Sequence, residues 1–472
     1  METKTQHPVV VIGAGPVGLA AAAHLLERGL EPLVLEAGDG PGAAVADWGH
    51  VRLFSPWRYC VDAAARRLLE ADSTWREPDL DTLPTGAELV RDYLTPLAAT
   101  PALRDRIRYG TRVTAVARDG ADRTRSLGRE RRPWLVRTES DGGTRDLRAA
   151  AVLDASGTYG RPNPLGASGL PAIGEPEAAA FLAGPLPDVL GRDRDRFAGR
   201  RVLVVGMGHS AANTLLALTH LADEEPGTEV VWAIRGGSPR RLFGGGTDDE
   251  LPARGLLGTR LREAVDAGRL ELWTRVGIEH LEATDGRLRV SGTGRAPGER
   301  AEGPFDAVVD VVSAATGFRP DLDMLREVRL DLDDVVEAPA RLAPLIDPNL
   351  HSCGTVSPHG ESVLSHPDEG FYLVGMKSYG RAPTFLLATG YEQVRSVAAA
   401  LAGDRAAADA VELELPETGV CSTDVADDGE TAGACCGGSA EPQLVSLGVG
   451  APAGAPAVGF ATGVLHGRSG DD

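Results

Sequence analysis

Cysteine is scarce in this 472-residue chain: there are five (Cys60, Cys353, Cys421, Cys435 and Cys436), and no two stand in a Cys-x-x-Cys spacing. That count and scatter exclude the disulfide framework of a small secreted domain. Long apolar runs are absent as well. No stretch approaches the roughly 18 unbroken apolar residues of a membrane-spanning helix, and Met1–Pro8 lacks a basic segment followed by an apolar one, so a cytoplasmic protein is expected. Basic residues are outnumbered, 48 Lys and Arg against 68 Asp and Glu, for a formal net charge of −20. A surface of that sign repels nucleic acid and anionic membranes, and neither is expected as a partner.

Glycine is plentiful, and its placement is informative. Gly13-Ala14-Gly15-Pro16-Val17-Gly18 is entered from the apolar run Val9–Ile12 and followed by the alanine-rich stretch Leu19–Leu26. Strand, tight turn and helix in that order form a dinucleotide-binding turn, in which glycines let the backbone approach a pyrophosphate at the positive end of the helix. Glu36 closes the next apolar run, with Ala37 beside it, where a carboxylate accepts hydrogen bonds from a ribose diol. A second turn, Gly206-Met207-Gly208-His209-Ser210-Ala211, follows Val202–Val205 and leads into Ala212–Leu221. Ala211 takes the place of the third glycine, which the pattern permits. Its second strand, Glu229–Ile234, ends in Arg235, which suits a 2′-phosphate, so the pair reads as FAD first and NADPH second.

A chain of this length suits two or three packed units. We expect an α/β protein with an NADPH-binding domain (166–304) inserted into an FAD-binding domain (1–165 and 305–410), and a disordered acidic tail (411–472). The aromatic loop Trp48–Arg58, with Trp48, Arg52 and Phe54, is expected to wall the flavin pocket or to pack as surface loop. Helices are expected at Cys60–Glu70, Gly86–Ala99 and Ala382–Leu401. A strand containing Val113 is expected over Ile107–Val116, and a hairpin from Trp134–Thr138 and Asp146–Ala150. Ala150–Gly157 and Val308–Gly317 are buried strands with small residues at their ends, where the chain would cross between domains. Gly157, Gly317 and Gly375 are further cofactor-binding candidates.

The two glycine turns, their order, Ala315-Thr316-Gly317 and the general layout resemble the flavin-containing monooxygenases and related two-dinucleotide flavoproteins over about residues 8–405. Val205–Leu218 and Gly375–Ser396 look closer still to actinobacterial monooxygenase-like proteins of arsenic-resistance clusters. One departure stands out. The family's Phe-x-Gly-x-x-x-His-x-x-x-Tyr/Phe fingerprint is matched only at Gly184, with Leu182, Asp188 and Arg192 at its other positions.

The resemblance implies that NADPH reduces FAD, that dioxygen adds at the flavin C4a, and that one oxygen passes to a soft nucleophilic small molecule. The flavin carries that chemistry while the protein positions the rings and excludes water. Lys377, Ser378, Tyr379 and His209 are the catalytic candidates. Lys377 is read either as a surface cation or as a charge at the flavin edge, and His209 as a helix cap, a phosphate contact or a proton carrier. A rival reading, an NADPH-dependent thiol or metal(loid) oxidoreductase, rests on Cys421 and the vicinal pair Cys435-Cys436, because thiolates select soft ions. Related two-nucleotide reductases commonly carry a Cys-x-x-Cys beside the flavin, and this chain has none. A non-catalytic flavin or NADP sensor is a third possibility. The spacing of His351, Cys353 and His359 fits no tetrahedral zinc pattern, and no metal site is expected.

Overall fold

β1 (Val9–Ile12) is apolar throughout and buried along its whole length, as in a parallel strand covered on both faces. The computed structural model describes residues 7–71, 74–243, 252–348, 358–383 and 385–413. Past the turn at Gly13 runs the helix Pro16–Glu27. Its Ala20, Ala21, Ala22 and Ala23 are fully buried, and their small side chains let the helices Ala63–Glu70 and Leu387–Leu401 pack close. β2 (Pro32–Leu35) and β3 (Ile107–Arg108) extend the sheet on one side, both parallel.

The single strand expected over Ile107–Val116 is divided. Gly110, at φ 56°, turns the chain, and β4 (Arg112–Arg118) enters a separate antiparallel sheet with β5 (Trp134–Ser140) and β6 (Gly143–Ala149). β7 (Ala151–Asp154) then returns to pair with β1, Val9 against Ala151 through Ile12 against Asp154.

The chain next leaves for a second unit. β8 (Leu182–Ala183), β9 (Arg201–Val205), β10 (Glu229–Ala233), β11 (Glu271–Thr284), β12 (Arg287–Arg295), β13 (Gly303–Val309) and β14 (Val311–Ala314) form one seven-stranded sheet in the order β13-β12-β11-β10-β9-β14-β8. The helix His209–Glu224 follows β9. Because β13 and β14 stay in this sheet, the return crossing falls after Ala314 rather than at 304. β15 (Phe371–Leu373) then completes the first sheet, ordered β15-β7-β1-β2-β3. One nucleotide-binding unit is thus inserted into another, and each has its own apolar core.

Two helices start later than expected. Asp62 accepts a hydrogen bond from Ala65 N at 2.8 Å and so caps Ala63–Glu70, placing Cys60 and Val61 before it. The last long helix begins at Leu387 rather than Ala382, because Pro383 disfavours helical backbone at Ala382, whose amide bonds back to Tyr379 O at 2.9 Å. No helix among the described residues is long and apolar enough to cross a membrane.

Candidate active site

The two glycine turns have the same construction. Gly13 N donates to Leu35 O at 2.8 Å, and Gly206 N to Ala233 O at 3.1 Å, so each turn is tied to the end of the next strand. Each first glycine also passes beneath the end of a neighbouring strand. A Cβ on Gly13 (φ 100°) would stand 2.9 Å from Ala155 O, and one on Gly206 (φ 135°) 2.0 Å from Ala315 O. This close approach explains the small residues after β7 and β14. Gly18 serves another purpose, since a Cβ there would meet Gly13 O at 1.9 Å, and it lets the helix close on the turn.

Gly15 and Gly208 face open space, with nothing within 4 Å of an added Cβ. They are the N-caps of helices of 12 and 16 residues, neither with a side-chain cap nor an acid in the first turn. Both helix ends present uncapped N–H groups, the arrangement that receives a pyrophosphate. Both open on one cavity of about 1350 Å³, above the roughly 300–1,000 Å³ of a common small-ligand pocket.

The first arm of the cavity ends at Glu36. Its carboxylate accepts from Ala14 N and Gly38 N, both at 2.7 Å, which aims it along the turn where a ribose diol would lie. Ala37 and Val113 line the wall beside it, with Gly13, Gly15 and Pro16 at the turn itself. The second arm holds Gly206, Gly208, His209 and Ser210, and ends at the exposed Arg235. Trp48, Gly157, Gly317, Gly375 and Lys377 line the space between.

Several residues singled out from the sequence stand elsewhere. Arg52 projects away from the cavity, donating to Leu83 O and lying 3.8 Å from Glu88. Phe54 does not line the cavity; its ring meets the edge of His209 at 5.1 Å, joining the aromatic loop of the first unit to the first residue of the second unit's helix. Gly18 and Ala211 sit behind the turns. Ser378 and Tyr379 also lie behind the wall: Ser378 Oγ donates to Gly375 O at 2.8 Å and accepts from Gln393 Nε2 at 2.9 Å. Lys377 is no surface cation. Its side chain is fully buried and its Nζ donates to Asp154 Oδ2 and Ser156 Oγ.

The structure adds residues that the sequence reading did not select. Asn163, on the outward crossing, donates its backbone N to Gly317 O at 2.9 Å and its side chain to Thr316 O at 3.1 Å, while Thr316 Oγ1 donates to Asn163 O. Pro162 and Phe318 form an antiparallel bridge, and Arg319 N donates to Arg161 O at 3.0 Å. The two crossings are therefore paired strand to strand at the cavity wall. Cys60 does not line the cavity, and burial pushes its thiol up to about 12. Cys353, Cys421, Cys435 and Cys436 lie outside the described residues.

Two dinucleotide turns, one with Glu36 at the end of its arm and the other with Arg235, open on one cleft. They define a two-nucleotide flavoprotein, an oxidoreductase that uses FAD and NADPH. A family profile described as pyridine nucleotide-disulphide oxidoreductase matches residues 10–349, and the chain belongs to that family. Among curated proteins it is similar to flavin-containing monooxygenase 3 of Macaca mulatta, 27% identical over 232 residues, 49% of this chain and 40% of that protein. It is also similar to the indole-3-pyruvate monooxygenase YUCCA8 of Oryza sativa subsp. indica, 30% identical over 261 residues, 50% of this chain and 51% of that protein. The chain thus spans about half the length of these relatives or less.

Among solved structures, bacillithiol disulfide reductase Bdr from Bacillus cereus superposes with a TM-score of 0.59 at 19% identity, covering 84% of this chain and 99% of that one. The cadaverine monooxygenase DfoA of Erwinia amylovora gives 0.57 at 14%, covering 89% and 100%. At these identities the likeness shows the fold.

Proposed function

We propose that this protein is an FAD-dependent, NADPH-consuming monooxygenase acting on a soft nucleophilic small molecule. The observation that carries the reading is the pair of uncapped helix ends opening on one cavity whose wall, among the described residues, contains no thiol. Bound there, FAD would supply the redox chemistry, accepting hydride from NADPH and passing electrons to dioxygen. The chain's own residues bind, orient and shield. Gly15 and Gly208 leave the helix N–H groups open to phosphates, Glu36 orients a ribose, and Arg235 faces a 2′-phosphate. Trp48, Leu53 and Phe385 give the wall an apolar surface that excludes water. The similarity to named monooxygenases supports the same reading.

The test is NADPH oxidation by the full-length flavoprotein, followed together with oxygen uptake, peroxide release and product formation across a panel of thioethers and amines. Product formed in step with NADPH supports the proposal. Oxygen reduced wholly to peroxide with every substrate counts against it. The rival thiol or metalloid oxidoreductase is tested by ending the chain after residue 413 and, separately, by Cys435→Ser with Cys436→Ser. A monooxygenase keeps its turnover in both. Loss of substrate turnover with flavin reduction intact would move the chemistry to the tail.

A further inference from the structure

Five arginines line the cavity: Arg112, Arg161, Arg235, Arg319 and Arg381. Four have an assignable role. Arg112 follows Thr111, whose amide donates to Glu36 O at 2.8 Å, so it flanks the ribose arm of the first unit. Arg235 ends the arm of the second. Arg161 pairs with Asp323 at 3.4 Å, and Arg319 Nε donates to Asn163 Oδ1 at 2.9 Å.

Arg381 shares its exposure and its lack of a side-chain partner among the described residues with Arg112 and Arg235, but not their place on a nucleotide arm. It is exposed, and its guanidinium has no hydrogen-bond or ion-pair partner among the described residues, in a chain that carries 68 acids. Its backbone, in contrast, is fixed. Arg381 N donates to Val336 O at 2.7 Å. The preceding Gly380, at φ 57°, approaches so closely that a Cβ there would lie 2.0 Å from the same carbonyl oxygen. A rigid turn therefore presents an uncompensated cation to the cavity. Position separates it from the ribose end of the first arm. The turn follows β15, one edge of the first sheet, whereas Glu36 and Arg112 stand at the β2–β3 edge. Neither nucleotide arm accounts for Arg381, and its neighbours Ala382, Pro383 and Phe385 make that end of the cavity apolar.

We propose that Arg381 anchors a carboxylate of the substrate, so that the molecule oxidised is an organic acid carrying a soft sulfur or nitrogen centre within an apolar body. The proposal rests on the functional reading above only in taking this end of the cavity as the substrate's. A guanidinium is planar and meets a carboxylate with two parallel N–H···O bonds, which fixes orientation as well as affinity.

The test uses the full-length protein loaded with FAD and no NADPH, so that binding is read without turnover. The probes are (phenylthio)acetic acid and its methyl ester, titrated by the change in flavin absorbance. Wild type should bind the acid at least about tenfold more tightly than the ester. Arg381→Gln should bring the two Kd values together with FAD affinity and Tm unchanged, and Arg381→Lys should keep part of the preference. Equal binding of acid and ester by wild type, binding of neither, or a preference that survives in Arg381→Gln would overturn the proposal. Loss of FAD in Arg381→Gln would also overturn it, by assigning the arginine to the flavin. Failure of the monooxygenase reading looks different: the acid is preferred in binding, yet no oxygenated product forms once NADPH and dioxygen are supplied.

Discussion

Lys377 Nζ donates to Asp154 Oδ2 at 2.7 Å, and neither side chain has any exposed surface. The two residues lie 223 positions apart, one following β15 and the other ending β7, so the pair fastens the turn after the edge strand to the end of the strand beside it. Ser156 Oγ completes the group, accepting from Lys377 at 3.0 Å and donating to Asp154 Oδ1 at 2.7 Å. Removing one member of a buried pair leaves the other charge without compensation. Lys377→Met or Asp154→Asn alone should therefore cost about 3–5 kcal/mol in urea unfolding, and Lys377→Met with Asp154→Leu should recover most of it. A single-variant loss of no more than about 1 kcal/mol would place the pair with surface ion pairs and refute the account.

The glycines of the turns should respond unequally to substitution. A side chain at Gly15 enters open space, so Gly15→Val should fold with a Tm near wild type yet purify without its yellow flavin. Gly206→Val collides with backbone 2.0 Å away at a left-handed φ, and should lower stability itself. Flavin absorbance and thermal unfolding, measured on both, separate the two effects. Full flavin retention in Gly15→Val would mean that the pyrophosphate lies elsewhere.

Arg235 should set the choice of pyridine nucleotide. A charged hydrogen bond to phosphate is worth roughly 1.5–3 kcal/mol, so Arg235→Ala should lower the NADPH/NADH ratio of kcat/KM by about tenfold or more. A ratio that does not move would show that this end of the second arm does not hold the 2′-phosphate.

Stability should depend on pH through His366. Its Nδ1 accepts from Asp331 N at 3.2 Å, its Nε2 has no partner, and burial pushes its pKa down to about 4. In the unfolded chain the ring takes up a proton near pH 6.5, whereas the folded protein keeps it neutral until about pH 4. Stability is thus present above 6.5 and lost as pH falls through that window, by roughly 2–3 kcal/mol. Urea midpoints between pH 7 and 4 should fall less steeply in His366→Gln than in wild type.

The features legible in the sequence are those written in a few consecutive residues. Val9–Ile12 with Gly13, and Val202–Val205 with Gly206, announce a strand and a turn because the geometry of each is local. Lys377, Arg52 and Arg381 are different. Their roles depend on what faces them across the fold, and neither the Lys377–Asp154 pairing nor the lack of a partner at Arg381 leaves a mark on neighbouring residues. The helix before Leu401 starts late for a related reason: Arg381 and Ala382 are held by Val336 and Tyr379, and the pull of those contacts is invisible in local propensity. The domain boundary shifted past Ala314 because β14 pairs with β9, a contact between segments about a hundred residues apart.

The paired crossings at Asn163, Thr316 and Phe318 have a mechanical consequence. Two separate tethers would let the inserted unit twist, slide and swing. Zipped edge to edge, they bend as a single ribbon and resist shear, since sliding by one residue would break every bond between them at once. A ribbon of this kind favours hinging of the two units over shear, which would keep the inner ends of the two nucleotide grooves in register.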